Sequence, residues 1–262
     1  MITLDHVSHV YTTEDGEQVP SLQKFSLNIA DGERVCVVGP SGCGKSTLLR
    51  LIAGFLLPTT GTITVAGRTV KGPGNHCGVV FQQPTLFPWL RVKDNIRFGA
   101  SLTGDPEQEK AAERLTEVVG LSEARERFPH ELSGGMQQRA QIARVLAQSP
   151  RVVLMDEPFG ALDPFTREQL QADLLGIWAA STPSIVFVTH SVDEALLLGQ
   201  RVVVMAAKPG RIVGVYDVPD VYGSLAGAEP DLAAVSDLPE FRELRREVKG
   251  AISEAAVNTS SV

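Results

Sequence analysis

Long apolar runs are the first thing this chain of 262 residues lacks. The longest, Leu51 to Leu57 and Val202 to Ala207, fall well short of the roughly 18 residues that a membrane-spanning helix needs. No segment is therefore expected to cross a bilayer. The opening residues Met1-Ile2-Thr3-Leu4-Asp5-His6 have neither the positive charge nor the apolar stretch of a signal peptide, so the expected location is the cytosol. Cysteine is scarce. Cys36, Cys43 and Cys77 are odd in number and lack metal-ligand spacing, which argues for reduced thiols rather than a disulfide framework or a zinc module. Positive charge is in deficit as well. A net charge of −7 and a pI near 5.3 offer no basic face for nucleic acid or anionic lipid, so any link to a membrane is expected to run through another protein. Internal repeats are absent, as is any extra segment large enough to fold as a regulatory domain.

What the chain does have is length and ordinary apolar content. With 262 residues and 43% hydrophobic side chains, it is able to bury a substantial core in one composite α/β domain. The most telling segment is Gly39-Pro40-Ser41-Gly42-Cys43-Gly44-Lys45-Ser46-Thr47, which fits the phosphate-loop pattern directly after the apolar run Val35 to Val38. Glycines at 39, 42 and 44 permit left-handed backbone and let main-chain N–H groups approach phosphate oxygens. A helix from Ser46 to Ala53, stopped by Gly54, would point its positive dipole end at the anion. Lys45 has the reach for the β and γ phosphates, and the Ser46 hydroxyl is placed to ligate magnesium.

Val152-Val153-Leu154-Met155-Asp156-Glu157-Pro158 reads as a buried parallel strand, whose C-terminal end is where open α/β sheets bind ligands. Asp156 would sit near a magnesium ion and Glu157 would serve as general base for an attacking water. Taken alone, the segment leaves open a strand that merely ends in acidic loop residues.

Upstream lies Leu132-Ser133-Gly134-Gly135-Met136-Gln137-Gln138-Arg139, and the stretch from Gly135 to Gln148 is rich in helix-forming residues. With this segment the chain resembles the ATP-binding cassette family, whose signature sequence has this form and order, although the family's usual fifth residue is Gln where Met136 stands. The resemblance implies phosphate contacts from the Ser133 hydroxyl and the Gly134 and Gly135 backbone. It makes Gln82, in Phe81-Gln82-Gln83-Pro84, a magnesium and water contact that senses the γ-phosphate. It places Asp163, in Ala161-Leu162-Asp163, in a loop that crosses a dimer interface; Asp163 also reads as an N-cap before Pro164. It makes His190, after the β-rich run Ser184 to Thr189, the γ-phosphate switch, fixed by a capping box from Ser191 and Glu194. Tyr11, following an amphipathic strand from Ile2 to Val10, is where the family sets an aromatic ring against adenine.

Residues 1–216 are expected to form the ATPase domain, an ABC-type fold with a mainly parallel core sheet, an N-terminal antiparallel β subdomain and an inserted helical subdomain over about 87–150. Asp31-Gly32, Thr60-Gly61 and Gly72-Pro73-Gly74 mark turns, and Pro106 to Val119 marks a helix. Residues 217–262 read as a linker at Gly223 to Pro230, an amphipathic helix from Pro239 to Ile252 and a fraying end from Ala255 to Val262. Leu86-Phe87-Pro88-Trp89, Val92 to Gly99 and Lys208 to Ile212 look like the ATPase subunits of bacterial importers for nitrate, sulfonates and taurine. That likeness implies ATP and Mg²⁺ as ligands, a second cassette (an identical chain) supplying Ser133 and Gly135 head to tail, a transmembrane permease docking near Gln82 to Trp89, and a periplasmic binding protein that carries specificity. The expected place is the cytoplasmic face of the inner membrane. An ATPase of another importer class is the nearest alternative, and one acting on nucleic acid or ribosomes a more distant one, disfavoured by the uninterrupted single cassette and the acidic balance. Phe87-Pro88-Trp89 is open to two readings, a packed aromatic pair or a permease contact.

Overall fold

The computed structural model describes residues 1–219 and 232–257. In chain order the elements are β1 (Ile2–Thr12), β2 (Gln18–Ile29), β3 (Arg34–Val38), α1 (Lys45–Ile52), β4 (Thr60–Val65), β5 (Arg68–Thr69), β6 (Gly78–Val80), α2 (Val92–Ile96), α3 (Phe98–Thr103), α4 (Pro106–Val118), α5 (Gly134–Leu146), β7 (Val152–Asp156), α6 (Pro164–Ser181), β8 (Ser184–Val188), α7 (Val192–Leu198), β9 (Arg201–Ala206), β10 (Arg211–Asp217), α8 (Leu232–Ser236) and α9 (Pro239–Val257). They group into two compact units, one of residues 1–76 with 182–262 and one of residues 77–181. Among the described residues no helix is long and apolar enough to cross a membrane.

The first unit holds an antiparallel sheet in the order β2-β1-β4-β5 and, separately, β3 running parallel to both β8 and β9, with β10 antiparallel along β9. The parallel strands are apolar on both faces. Val35 to Val38 and Ile185 to Val188 are at most 1% exposed, the pattern of strands covered on both sides. Thr60-Gly61 does not form the expected turn; it opens β4. Gly61 sits at φ +83°, and a Cβ there would lie 2.5 Å from the Asp5 and His6 carbonyls, where the pairing of β1 with β4 slips register between Asp5 and Ser8. A glycine that only makes a bulge possible reads in sequence like a turn glycine.

The C-terminal helix belongs to this unit. α9 packs on β9, β10 and α7 with Phe241, Val248 and Ala255 buried at seven-residue spacing, one apolar stripe along a helix. Arg245 Nε pairs with Asp193 Oδ1 of α7 at 2.5 Å. The helix runs past Ile252 to Val257, and Ala255, expected to fray, is buried in that stripe; the rest of the expected frayed end, 258–262, lies outside the described residues. The stretch read as a linker, Gly223 to Pro230, lies outside the described residues.

The second unit pairs β6 parallel with β7 and packs α5 against α2, α4 and β6. α4 starts where the sequence says it starts: the Asp105 side chain accepts from the Glu107 N–H at 2.9 Å, with Pro106 in the first turn. α5 begins one residue earlier and ends two residues sooner than the composition suggests.

Candidate nucleotide site

In the first unit, β3 ends at Val38 and the chain turns through residues 39–44 into α1. Gly42 and Gly44 take φ of +75° and +94°, as their left-handed roles require. Gly39 is needed for a different reason: a Cβ there would meet the Met205 carbonyl oxygen at 2.5 Å and Cys43 Sγ at 2.9 Å. Pro40 is half-buried, and Ser41 and Gly42 are exposed at the crest of the loop. Lys45 is buried, and its Nζ donates to the Gly39 carbonyl at 2.8 Å and the Pro40 carbonyl at 3.1 Å. The loop thus holds its own cation at its centre. Burial pushes the Cys43 thiol upward against the pull of the nearby Lys45 ammonium, so this thiol stays protonated and unreactive at neutral pH. All three cysteines are free.

Ser46 follows as the half-buried second residue of α1. Thr47 Oγ1 accepts from the Ser21 hydroxyl at 3.1 Å and bonds the Tyr11 hydroxyl at 3.2 Å. The Tyr11 ring stands edge-on to His9, with centroids 4.7 Å apart, so the ring expected near adenine is tied directly to the loop. Sequence reasoning missed Gly210, where a Cβ would lie 2.3 Å from the Cys43 carbonyl. The Pro209-Gly210 turn therefore braces the loop from outside, which gives the Lys208 to Ile212 stretch a physical role.

His190 is exposed two residues past the end of β8. Val188 pairs in parallel with Val37, so His190 and Gly39 leave the sheet at the same edge and level. The cap after it departs from the expected box. Ser191 accepts from the Glu194 N–H at 3.2 Å, while the Ser191 N–H goes to the Thr189 hydroxyl, which itself donates to Glu194 Oε2 at 2.5 Å. A buried threonine hydroxyl inserted between the two partners takes over the reciprocal half of the motif.

In the second unit, Asp156 ends β7 half-buried and Glu157 follows at φ +45°. A left-handed conformation costs a non-glycine residue roughly 1–2 kcal/mol, and such strain concentrates at functional sites. Gln82 Nε2 donates to Glu157 Oε2 at 3.1 Å. A carboxylate only accepts, so the amide is oriented with its nitrogen toward Glu157. Ser133 caps α5, its hydroxyl accepting from the Met136 N–H at 3.3 Å, and Ser133 and Gly134 are exposed at the start of that helix. A Cβ on Gly135 would come within 3.0 Å of Leu162 Cδ2, which brings the Ser-Gly-Gly turn against the Ala161-Leu162-Asp163 loop. Asp163 Oδ1 accepts from the Thr166 N–H at 3.0 Å, the N-cap expected of it, and hydrogen bonding from Thr166 holds its carboxyl below the usual range. Phe87 bears out the packing reading, and the two aromatics differ in burial. Phe87 packs on Phe98 at 4.6 Å and under the Arg144 guanidinium, while Trp89, tilted beside it at 5.5 Å, is 70% exposed.

A glycine-rich loop around a buried lysine at the end of a parallel strand, with an acidic pair at the tip of another, defines an α/β nucleoside triphosphatase. The model of the family described as ABC transporter matches residues 22–160, and the chain belongs to that family. It binds and hydrolyses ATP. Among its relatives, the taurine import ATP-binding protein TauB of Roseobacter denitrificans is 45% identical over 96% of this chain and 93% of its own length. An uncharacterized ABC transporter ATP-binding protein of Methanocaldococcus jannaschii is 52% identical over 76% of this chain and 75% of its own. A dimeric structure of the ATP-binding cassette MJ0796, in a post-hydrolysis state bound to ADP and Pi, aligns with a TM-score of 0.74 at 30% identity, covering 84% of this chain and 99% of that one.

Proposed function

We propose that this ATPase powers a bacterial importer for a small oxyanion, pairing head to tail with a second copy and driving a separate permease from the cytoplasmic face of the membrane. The observation that carries the mechanism is the bond from Gln82 to Glu157. It sets an amide on the carboxylate that takes the proton of the attacking water, so one loop reports directly on the general base. Lys45 and the amides of residues 39–47 cradle the β and γ phosphates, Tyr11 stacks on adenine, and His190 holds the γ-phosphate. Ser133, Gly134, Gly135 and Asp163 act on the nucleotide held by the partner, which excludes water from the reacting phosphate.

Magnesium suits the donors on offer. Among the described residues no three His, Cys, Asp or Glu side chains gather into a metal cluster. Magnesium bound with a nucleotide needs none, taking a few protein oxygens, with as little as one carboxylate among them, beside phosphates and water. The Ser46 hydroxyl, the Asp156 carboxylate and the Gln82 amide oxygen would supply them. When bound, the ion neutralises charge on the phosphate oxygens.

The sandwich has a direct test. Ser133→Arg and Lys45→Ala subunits, each inactive alone, are expected to regain partial ATPase activity on mixing, because a mixed dimer keeps one composite site intact. No recovery in a mixture shown to exchange subunits rules out the head-to-tail arrangement.

The taurine-import relatives support a sulfonate cargo, with nitrate and other sulfonates in the same chemical class. Growth on taurine, sulfonates and nitrate, all unaffected by deleting the gene, would overturn this assignment while leaving the ATPase intact. The permease is proposed to dock beside Gln82 to Trp89. Trp89→Ala is expected to weaken co-purification with the permease by about 2 kcal/mol or more, roughly 30-fold in Kd, without changing soluble ATPase activity. Its 70% exposure means that the thermal midpoint of the isolated subunit stays put; a large drop would return Trp89 to the core.

A further inference from the structure

The segment from Phe81 to Arg91 is irregular, yet side chains from two helices hold its backbone. Asn95 of α2, fully buried, accepts from the Phe87 N–H at 2.8 Å and donates to the carbonyls of Phe87, Leu90 and Arg91. Nearer Gln82 the holder is Gln141 of α5, also fully buried. Its Nε2 donates to the Phe81 carbonyl at 2.7 Å. Its Oε1 accepts from both the Thr85 N–H and the Thr85 hydroxyl, each at 2.8 Å. A backbone carbonyl only accepts and a backbone N–H only donates, so this amide has one workable orientation. Arg144, one turn on, donates to the Thr85 carbonyl and hydroxyl oxygens, each at 2.9 Å. Gln138 adds a longer bond to Phe81 O at 3.3 Å.

The two anchor points of Gln141 bracket Gln82-Gln83-Pro84. Burying an amide is costly unless its polar atoms are satisfied, and here every bond goes to the loop that carries Gln82. α5 is also the helix whose first turn begins at Ser133-Gly134-Gly135. One rigid body thus carries the Ser-Gly-Gly turn at one end and grips the Gln82 loop two turns later.

We infer that Gln141 is a positioning residue for ATP hydrolysis: by pinning Phe81 and Thr85 to α5 it fixes the reach of Gln82 to Glu157, so the loop and the start of α5 move as one piece. The inference rests on the role proposed above for Gln82. Its test is a cycle of steady-state ATPase measurements on the full chain with Gln82→Ala, Gln141→Leu and the double variant. Gln141→Leu is expected to lower kcat about 10-fold with KM for ATP within about twofold, the signature of a misplaced group rather than lost binding. In the Gln82→Ala background the same change is expected to cost less than about twofold, because a residue acting through Gln82 has nothing left to position. Thr85→Val, made on an exposed loop residue, removes one of the bonds to Oε1, together with the bond from Arg144 to the same hydroxyl, and leaves every side chain of α5 in place. It is expected to give a smaller kcat loss of about threefold that also vanishes with Gln82→Ala, and it decides the matter if Gln141→Leu does not fold. Full, multiplicative losses in the Gln82→Ala background would overturn the inference, as would an unchanged kcat in the Gln141 and Thr85 variants. Wild-type turnover by Gln82→Ala itself would instead sink the role given to Gln82.

Discussion

Glu157→Gln is expected to cut ATP turnover by at least about 10²-fold while leaving ATP binding intact, since removing a general base costs that much. The substitution isolates basicity. Glutamine matches glutamate in length, is no worse at tolerating φ +45°, and still offers an oxygen to the Gln82 amide now bonded to Glu157 at 3.1 Å. Nothing in the phosphate loop changes, because Lys45 and its partners lie within residues 39–45. Phosphate release measures the turnover and calorimetry the binding. A sizing column should also show an ATP-bound dimer that accumulates because it no longer hydrolyses its nucleotide. Near-normal hydrolysis would remove Glu157 from the role of base.

The second large effect is on affinity. Lys45→Ala is expected to weaken ATP binding by roughly 10- to 100-fold or more, the worth of one or two charge-assisted hydrogen bonds at about 1.5–3 kcal/mol each. Two losses combine. The charge that would face the β and γ phosphates disappears, and the Gly39 and Pro40 carbonyls lose the ammonium they share, so the loop is also less well organised before it meets a phosphate. Lys45→Arg is not expected to rescue it. A planar guanidinium is no substitute for a compact ammonium in a slot where Nζ is buried 2.8 Å from one carbonyl. Unchanged nucleotide binding by calorimetry would sink the phosphate-loop reading.

Features that depend on a few neighbouring residues were legible in the sequence. The buried strands β3, β7 and β8 are announced by unbroken apolar runs. The helix starts at Asp163 and Ser191 are announced by capping side chains that the structure finds bonded within their own first turns. What stayed hidden is nonlocal. Gln141 looks like one more polar residue on a helix until it is found bonded to Phe81 and Thr85, 60 and 56 positions away. Its only signal is a glutamine at a position that an amphipathic helix would give to an alanine or valine. Gly210 reads as a turn glycine, and only the nearness of the Cys43 carbonyl shows what its missing side chain protects. The link from Gln82 to Glu157 spans 75 positions; family order suggested that both matter, but no spacing rule could put the amide on the carboxylate.

The stripe of Phe241, Val248 and Ala255 has a practical consequence for anyone who shortens this protein. The family model stops at residue 160 and β10 ends at Asp217, so a fragment cut soon after β10 looks like a complete ATPase. It would lose Phe241 and Val248 from the core at about 1.5–3 kcal/mol apiece, a large share of the roughly 5–15 kcal/mol that keeps a domain folded. It would also strip Asp193 of Arg245, at the first turn of the helix that begins beside His190. Such a fragment would be hard to keep soluble, and low activity in it would say nothing about chemistry. The safe boundary for a shortened version lies beyond Val257, and a purification tag belongs past that point.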